Sequence, residues 1–267
     1  MGNETPHLLR WSMAILPCVS SLELAQSADE LAKKLSNPVS SLISVPFQYN
    51  YNECVGPNDR SQSYVNIQPV IPISIGENWN LISRTILPVI RLDDVVPGET
   101  VNGIGNITQS FFFSPKNPTK GGLIWGVGPV IEIPIASDGL GKDQWGLGFT
   151  GVALKQSGPW TIDFLGNHVW SVSNNDLYGD SSVSFLQPFV SYTTPRATTF
   201  SLNSESTNDW ENDEWSVPVN AMAAQLAKIS GRPVSLTAGA RYWVDAPDTG
   251  PEGWGLRLAV TYLFPAG

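Results

Sequence analysis

Two stretches hold residue types that could do covalent chemistry. In PWTIDFLGNHVWSV, His168 stands three residues before Ser171 and beside Asn167. A histidine base, a serine nucleophile and an orienting amide are the parts of an ester hydrolase. They work only when base and nucleophile come within hydrogen-bond reach. The stretch alternates as a strand does, and residues three apart on a strand point to opposite faces. His168 and Ser171 therefore do not form the pair, and a partner would have to come from another strand. The second stretch, Gly146-Leu147-Gly148-Phe149-Thr150-Gly151, matches GxGxxG. A dinucleotide site needs that motif between a strand and a helix. Here it lies inside alternating strand residues, so Gly146 and Gly148 read as small residues facing a crowded interior. Cys18 and Cys54 are the only cysteines, with no Cys/His spacing suited to a metal. No catalytic, cofactor or metal site is assigned.

More telling are charges placed within strands: Arg84, Glu132, Asp163, Glu205, Arg241 and Arg257. Alternation sets Glu132 on one face with Gly126 and Gly128, and Glu205 with Ser201 and Asn203. It sets Arg241 with Thr237 and Gly239, and Arg257 with Gly255 and Thr261. Arg84 and Asp163 join this set although their strands alternate less cleanly. If the opposite, apolar faces meet lipid, these charges line a lumen. They then form either a selectivity constriction or a structural network filling the barrel. The expected arrangement is a transverse ladder, with Arg241 and Arg257 on one wall and Glu132 and Glu205 on the other.

The elements that must carry these residues are strands. From about residue 40 the chain runs with period two, as in ISVPFQYNY and SVSFLQPFVSYTT. About twelve such runs follow, each near or above the length that crosses a bilayer at a tilt. Only 15% of residues are charged, and Gly, Pro and Trp number 24, 21 and 10, a composition suited to many strands and turns. Nine of the tryptophans, from Trp79 to Trp254, fall largely toward strand ends, as in the aromatic girdles of membrane barrels. Apolar-Pro-apolar recurs inside strands at Pro46, Pro72, Pro88, Pro134 and Pro218, which predicts strand ends or bulges there.

Connections alternate between short turns (GEN, SGP, ISGRP) and longer stretches (CVGPNDRSQ, DDVVPGETVNG, ASDGLGKD, NDWENDE). The long set gathers the acids, Asp93, Asp94, Asp138, Asp143, Glu211, Asp213 and Asp248 among them, against Arg60, Arg91 and Lys142. The short set holds Lys116, Lys120, Lys155, Arg196, Lys228 and Arg232 against Glu77. This sorting by loop parity is what an outer-membrane barrel with outward acidic loops would show. Such loops could share divalent cations with lipopolysaccharide phosphates. A net charge of −9 opposes nucleic acid as a partner. Residues 1–27 read as a secretory signal or an unstructured N-terminus, with a possible cut near Ala25 to Ala28. Residues 28–39 read as a short helix, SADELAKKLSNP, at the periplasmic mouth or plugging the barrel. Residues 40–267 read as the barrel.

SNPVSSLISVPFQYNYN, FFFSPKNPT, LQPFVSYTT, the NSEST before Asp209-Trp210, and the closing GWGLRLAVTYLFP resemble bacterial outer-membrane putative transporters. They are similar to the barrel proteins associated with the MetA pathway of phenol degradation. The resemblance covers roughly residues 30 to 267. It implies a transmembrane antiparallel up-and-down β-barrel in the bacterial outer membrane, and no catalytic motif. The last strand, with Val260, Tyr262 and Phe264 on one face, resembles the C-terminal signal read by the barrel-assembly machinery. Pro265-Ala266-Gly267 extend beyond the terminal Phe of the strict pattern. The expected function is a channel or transporter passing an unknown small solute by diffusion, without a cofactor. The alternatives are a structural or plugged barrel and a barrel lipid hydrolase.

Overall fold

A computed structural model describes residues 27–96, 99–173 and 179–264; the expected leader and the loop residue Asp176 lie outside the described residues. The chain forms one helix, α1 (Ala28–Leu35), and fifteen strand segments in a single antiparallel sheet. They are β1 (Ile43–Val55), β2 (Arg60–Ile67), β3 (Val70–Ile75), β4 (Trp79–Val96), β5 (Glu99–Ile104), β6 (Ile107–Pro115), β7 (Leu123–Ile133) and β8 (Gly146–Ser157). Then follow β9 (Trp160–Ser171), β10 (Ser182–Thr193), β11 (Thr198–Ser204), β12 (Ser206–Asp209), β13 (Glu214–Ile229), β14 (Arg232–Asp245) and β15 (Gly253–Phe264). The last strand pairs with the first, from Ile43 with Phe264 to Asn52 with Gly255, so the sheet closes into a twelve-stave barrel.

Fifteen segments make twelve staves because three staves are each broken in two: β2–β3, β5–β6 and β11–β12. Each break sits beside proline, which has no N–H to give a ladder. Pro46 of β1 faces the break at Gln68 and Pro69, where Gln68 N–H donates to the Pro46 carbonyl at 2.9 Å. Pro88 of β4 faces the break at Gly105 and Asn106. There β4 advances three residues from Ile86 to Val89 while its partner needs four, from Thr108 back to Ile104, which is a bulge. Gly105 is required at that point, because a Cβ would lie 2.7 Å from the Pro88 ring. Pro188 of β10 and Pro218 of β13 flank the third break, at Glu205, from both sides. Pro134 follows the end of β7 directly. Pro72 of β3 pairs with β4 but lies past the start of β1. The expectation of strand ends or bulges holds at Pro46, Pro134 and Pro218, whereas Pro72 and Pro88 stand within β3 and β4, and at Pro88 the bulge falls on the neighbouring stave.

The outward face is apolar. Phe47, Ile73, Phe149, Ile162, Phe164, Leu202, Leu256, Leu258 and Tyr262 are exposed there. Aromatics cluster in two bands. Trp79 packs edge-on to Trp125 and Trp160 to Tyr192 beside the short turns, while Tyr242 and Trp254 meet at the opposite end. Trp243 departs from the girdle and turns inward, donating to Asn52 Oδ1 at 3.1 Å. Two of the expected long loops are mostly strand: β1 runs to Val55 and β2 resumes at Arg60, while β4 extends to 18 residues. At 18 residues β4 is longer than the about 9–11 residues with which a strand crosses a bilayer.

The helix lies at the short-turn end, where Gln156 Nε2 donates to the Lys33 carbonyl at 2.9 Å. The chain after it passes into the barrel mouth. Val39 is buried with Ile82, Phe112, Val152, Leu154 and Leu165, an apolar cluster on the inner wall. The GxGxxG residues serve packing, as expected. A Cβ on Gly148 would stand 1.7 Å from the His168 carbonyl oxygen, whereas one on Gly151 meets nothing nearer than 3.6 Å. Gly148→Val should therefore prevent β8 and β9 from pairing and abolish the heat-modifiable folded band on gels, while Gly151→Ala should leave that band intact.

Candidate lumen site

The polar centre of the barrel is built around Glu205, at the proline-flanked break. With no strand partner recorded for it, this residue aims its carboxylate inward at two arginines. Arg257 grips it with two nitrogens, Nη1 to Oε1 at 2.7 Å and Nη2 to Oε2 at 2.6 Å, and Arg241 Nη2 reaches Oε2 at 2.6 Å. The arginines sit on adjacent strands and are each 2% exposed. Their other donors are taken up: Arg241 Nε by Asn220 at 2.7 Å, Arg241 Nη1 by Tyr64 at 2.6 Å, and Arg257 Nε by Asn50 at 2.8 Å. Asn220 in turn donates to Asn203 at 2.8 Å, and Arg241 lies 5.4 Å from the centre of the Trp243 ring. Guanidinium and carboxylate in this bidentate geometry form some of the strongest charge-assisted bonds available to side chains.

Of the residues expected in a ladder, the structure brings one carboxylate to the two arginines. Glu205 faces Arg241 and Arg257, but Glu132 does not. It lies on β7 and accepts from Asn106 Nδ2 at 3.0 Å, beside the break of the second stave. Residues on both neighbouring strands, Thr108 and Gly146, pair with it there. Arg84 and Asp163, on the less regular strands, do face inward. They line a lumen cavity of about 290 Å³ together with Glu205 and Arg257, and residues 34 to 42 form its helix-side wall. Arg84 donates to Gln68 at 3.2 Å. Sequence reading missed Gln68, Asn106, Asn50, Asn220 and Tyr64. Their only signal was polarity on the inward parity of a strand.

A second polar set lies outside. His168 does not meet Ser171. It pairs with two serines of β10 instead: Nδ1 with Ser184 Oγ at 2.8 Å and Nε2 with Ser182 Oγ at 3.3 Å. Trp210 Nε1 donates to Ser184 Oγ at 2.9 Å, and the His168 ring packs on Trp170 at 4.1 Å. A base and a hydroxyl are thus in reach on the outward face. The indole N–H occupies an oxygen lone pair of that hydroxyl, and the four side chains satisfy one another at the level of the aromatic band.

No family model and no curated protein matches the chain. Solved structures do. The COG4313 outer membrane channel from Pseudomonas putida F1 superimposes with a TM-score of 0.64 at 15% identity, over 84% of this chain and 96% of that one. Outer membrane phospholipase A from Escherichia coli gives 0.50 at 10% identity, over 90% and 99%. At these identities the likeness shows the fold, an outer-membrane type of β-barrel.

Removing the carboxylate at Glu205 would leave two buried guanidiniums without their counter-ion. Glu205→Ala should cost about 3–5 kcal/mol, measured by denaturant unfolding of the detergent-solubilised barrel. Replacing all three charges with apolar residues (Glu205→Leu, Arg241→Met, Arg257→Leu) should recover most of that loss. Equal stability of Glu205→Ala and the parent would mean the cluster is not paired.

Proposed function

We propose that the protein is an outer-membrane channel passing a small solute by diffusion, and that the inward charges set its selectivity. The observation that carries this reading is the lumen itself. Charged and amide side chains line it from several strands, and a cavity remains among them under the N-terminal segment. A barrel serving only as scaffold has no need to hold ionised groups in an interior where each costs several kcal/mol to desolvate. The fold shared with an outer-membrane channel supports the reading. Acidic loops outward, short turns and α1 toward the periplasm, and Val260, Tyr262 and Phe264 as the assembly signal complete it. Tyr262 and Phe264 are exposed on the outer face at the seam where β15 meets β1.

A second reading, a plugged barrel, draws on Val39, which is 5% exposed within the inner apolar cluster. The two are separated in planar bilayers. The channel reading expects discrete conductance from the purified protein, and a rise when Val39→Asp loosens the segment after α1. No current from either form, with both folded, would make the plug permanent. Orientation is tested on whole cells with an impermeant thiol reagent, in a Cys54→Ser background because Cys54 is an exposed free thiol. Asp138→Cys, in a long loop, should label, and Asn78→Cys, in the turn between β3 and β4, should not. The reverse pattern would invert the topology.

A further inference from the structure

The lumen charges fall into two groups. Around Glu205 every ion is paired. Arg84 and Asp163 are different. Asp163 is 7% exposed, and among the described residues its carboxylate has no hydrogen-bond partner. Arg84 spends one nitrogen on Gln68 and leaves the rest of its fork uncommitted. Arg84 lies in the field of Glu205 first and of Asp163 second, and it makes no ion pair within 4.0 Å with either among the described residues. Both line the same cavity of about 290 Å³, with Leu42, Phe189 and Met222 supplying apolar surface beside them. A carboxylate and a guanidinium that line one confined cavity without pairing are a costly arrangement for the protein alone.

We infer that Arg84 and Asp163 bind a small zwitterion inside the barrel, its carboxylate on Arg84, its ammonium on Asp163 and its apolar part against Phe189 and Met222. Arg84 offers the planar fork that matches a carboxylate. Asp163 repels a simple anion and accepts from an ammonium, while Arg84 repels a simple cation. The volume, about ten waters' worth, suits an amino acid of leucine's size. The inference rests on the channel reading for the solute's route, but not for binding.

Binding is therefore measured apart from conductance, as the shift in unfolding temperature of the full, detergent-solubilised protein. The probes are L-leucine, 4-methylpentanoate, which lacks its amine, and 3-methylbutylamine, which lacks its carboxylate. Leucine should bind about tenfold or more tightly than either analogue, since each loses one charge-assisted contact. Asp163→Asn should remove the advantage over 4-methylpentanoate. Arg84→Met should remove the advantage over 3-methylbutylamine. Because Arg84→Met strands Asp163, the double variant Arg84→Met with Asp163→Leu guards against misfolding and should lose leucine binding altogether. If leucine binds no better than its analogues, or the double variant binds it like the parent, the inference is overturned even where conductance stands. If current is absent while leucine binding follows this pattern, the channel reading fails alone.

Discussion

A strand that crosses hydrocarbon must find a partner for each of its backbone N–H and C=O groups within the protein. Closure of β15 on β1 meets that demand for the ends of the sheet. It does not meet it at proline, which offers a carbonyl and no donor. This chain places proline inside its strands repeatedly. The ladder answers by breaking the neighbouring stave at Gln68, at Asn106 and at Glu205. At each break a residue freed from regular pairing turns a polar side chain into the lumen. Gln68 meets Arg84, Asn106 meets Glu132, and Glu205 meets both Arg241 and Arg257. The polar interior of the barrel is thus largely a consequence of where the backbone cannot pair.

The Glu205 cluster has two cations on one carboxylate, an excess of positive charge in a confined space. Neutral acceptors spread that excess: Asn50, Asn220 and the Tyr64 oxygen each take a guanidinium donor. Such a network is stable as a whole and weak in its parts, because losing one member leaves the others desolvated and unmet. The group also joins β1, β2, β11, β13, β14 and β15 across the interior, with Glu205 at the break after β11, so it braces the half of the barrel that contains the closing seam. The other half is braced differently, by Val39, Phe112, Leu154 and Leu165 in apolar contact.

Much of this was legible in the residues. Period-two alternation from Ile43 onward marked the strands, and counting parity put Glu205, Arg241 and Arg257 on faces from which they meet one another in the structure. Two features escaped for a physical reason. Strand pairing across distant sequence decides which inward charges meet, so Glu132 was assigned to the wrong partners. The same limit applied to His168, whose partners Ser182 and Ser184 come from the next strand. Loop lengths were overread because β4 runs on to Val96 and β5 begins at Glu99, where turn-forming residues stood out more than the alternation around them. The prolines were read as strand-end or bulge positions, but their effect falls on the neighbouring strand, which a sequence lists elsewhere.

The contrast between the two polar sets shows where function belongs in this barrel. Outside, His168, Ser184, Ser182 and Trp210 form a closed chain of hydrogen bonds. On a face that meets lipid, polar groups are tolerable only when paired, and these have spent their capacity on one another. Inside, beyond the saturated Glu205 cluster, Arg84 and Asp163 retain donors and acceptors that no side chain takes. Water can hydrate them there, and a solute with matching charges can displace that water. Unspent hydrogen-bonding capacity is costly in either place, but only on the inner wall can an entering solute meet it.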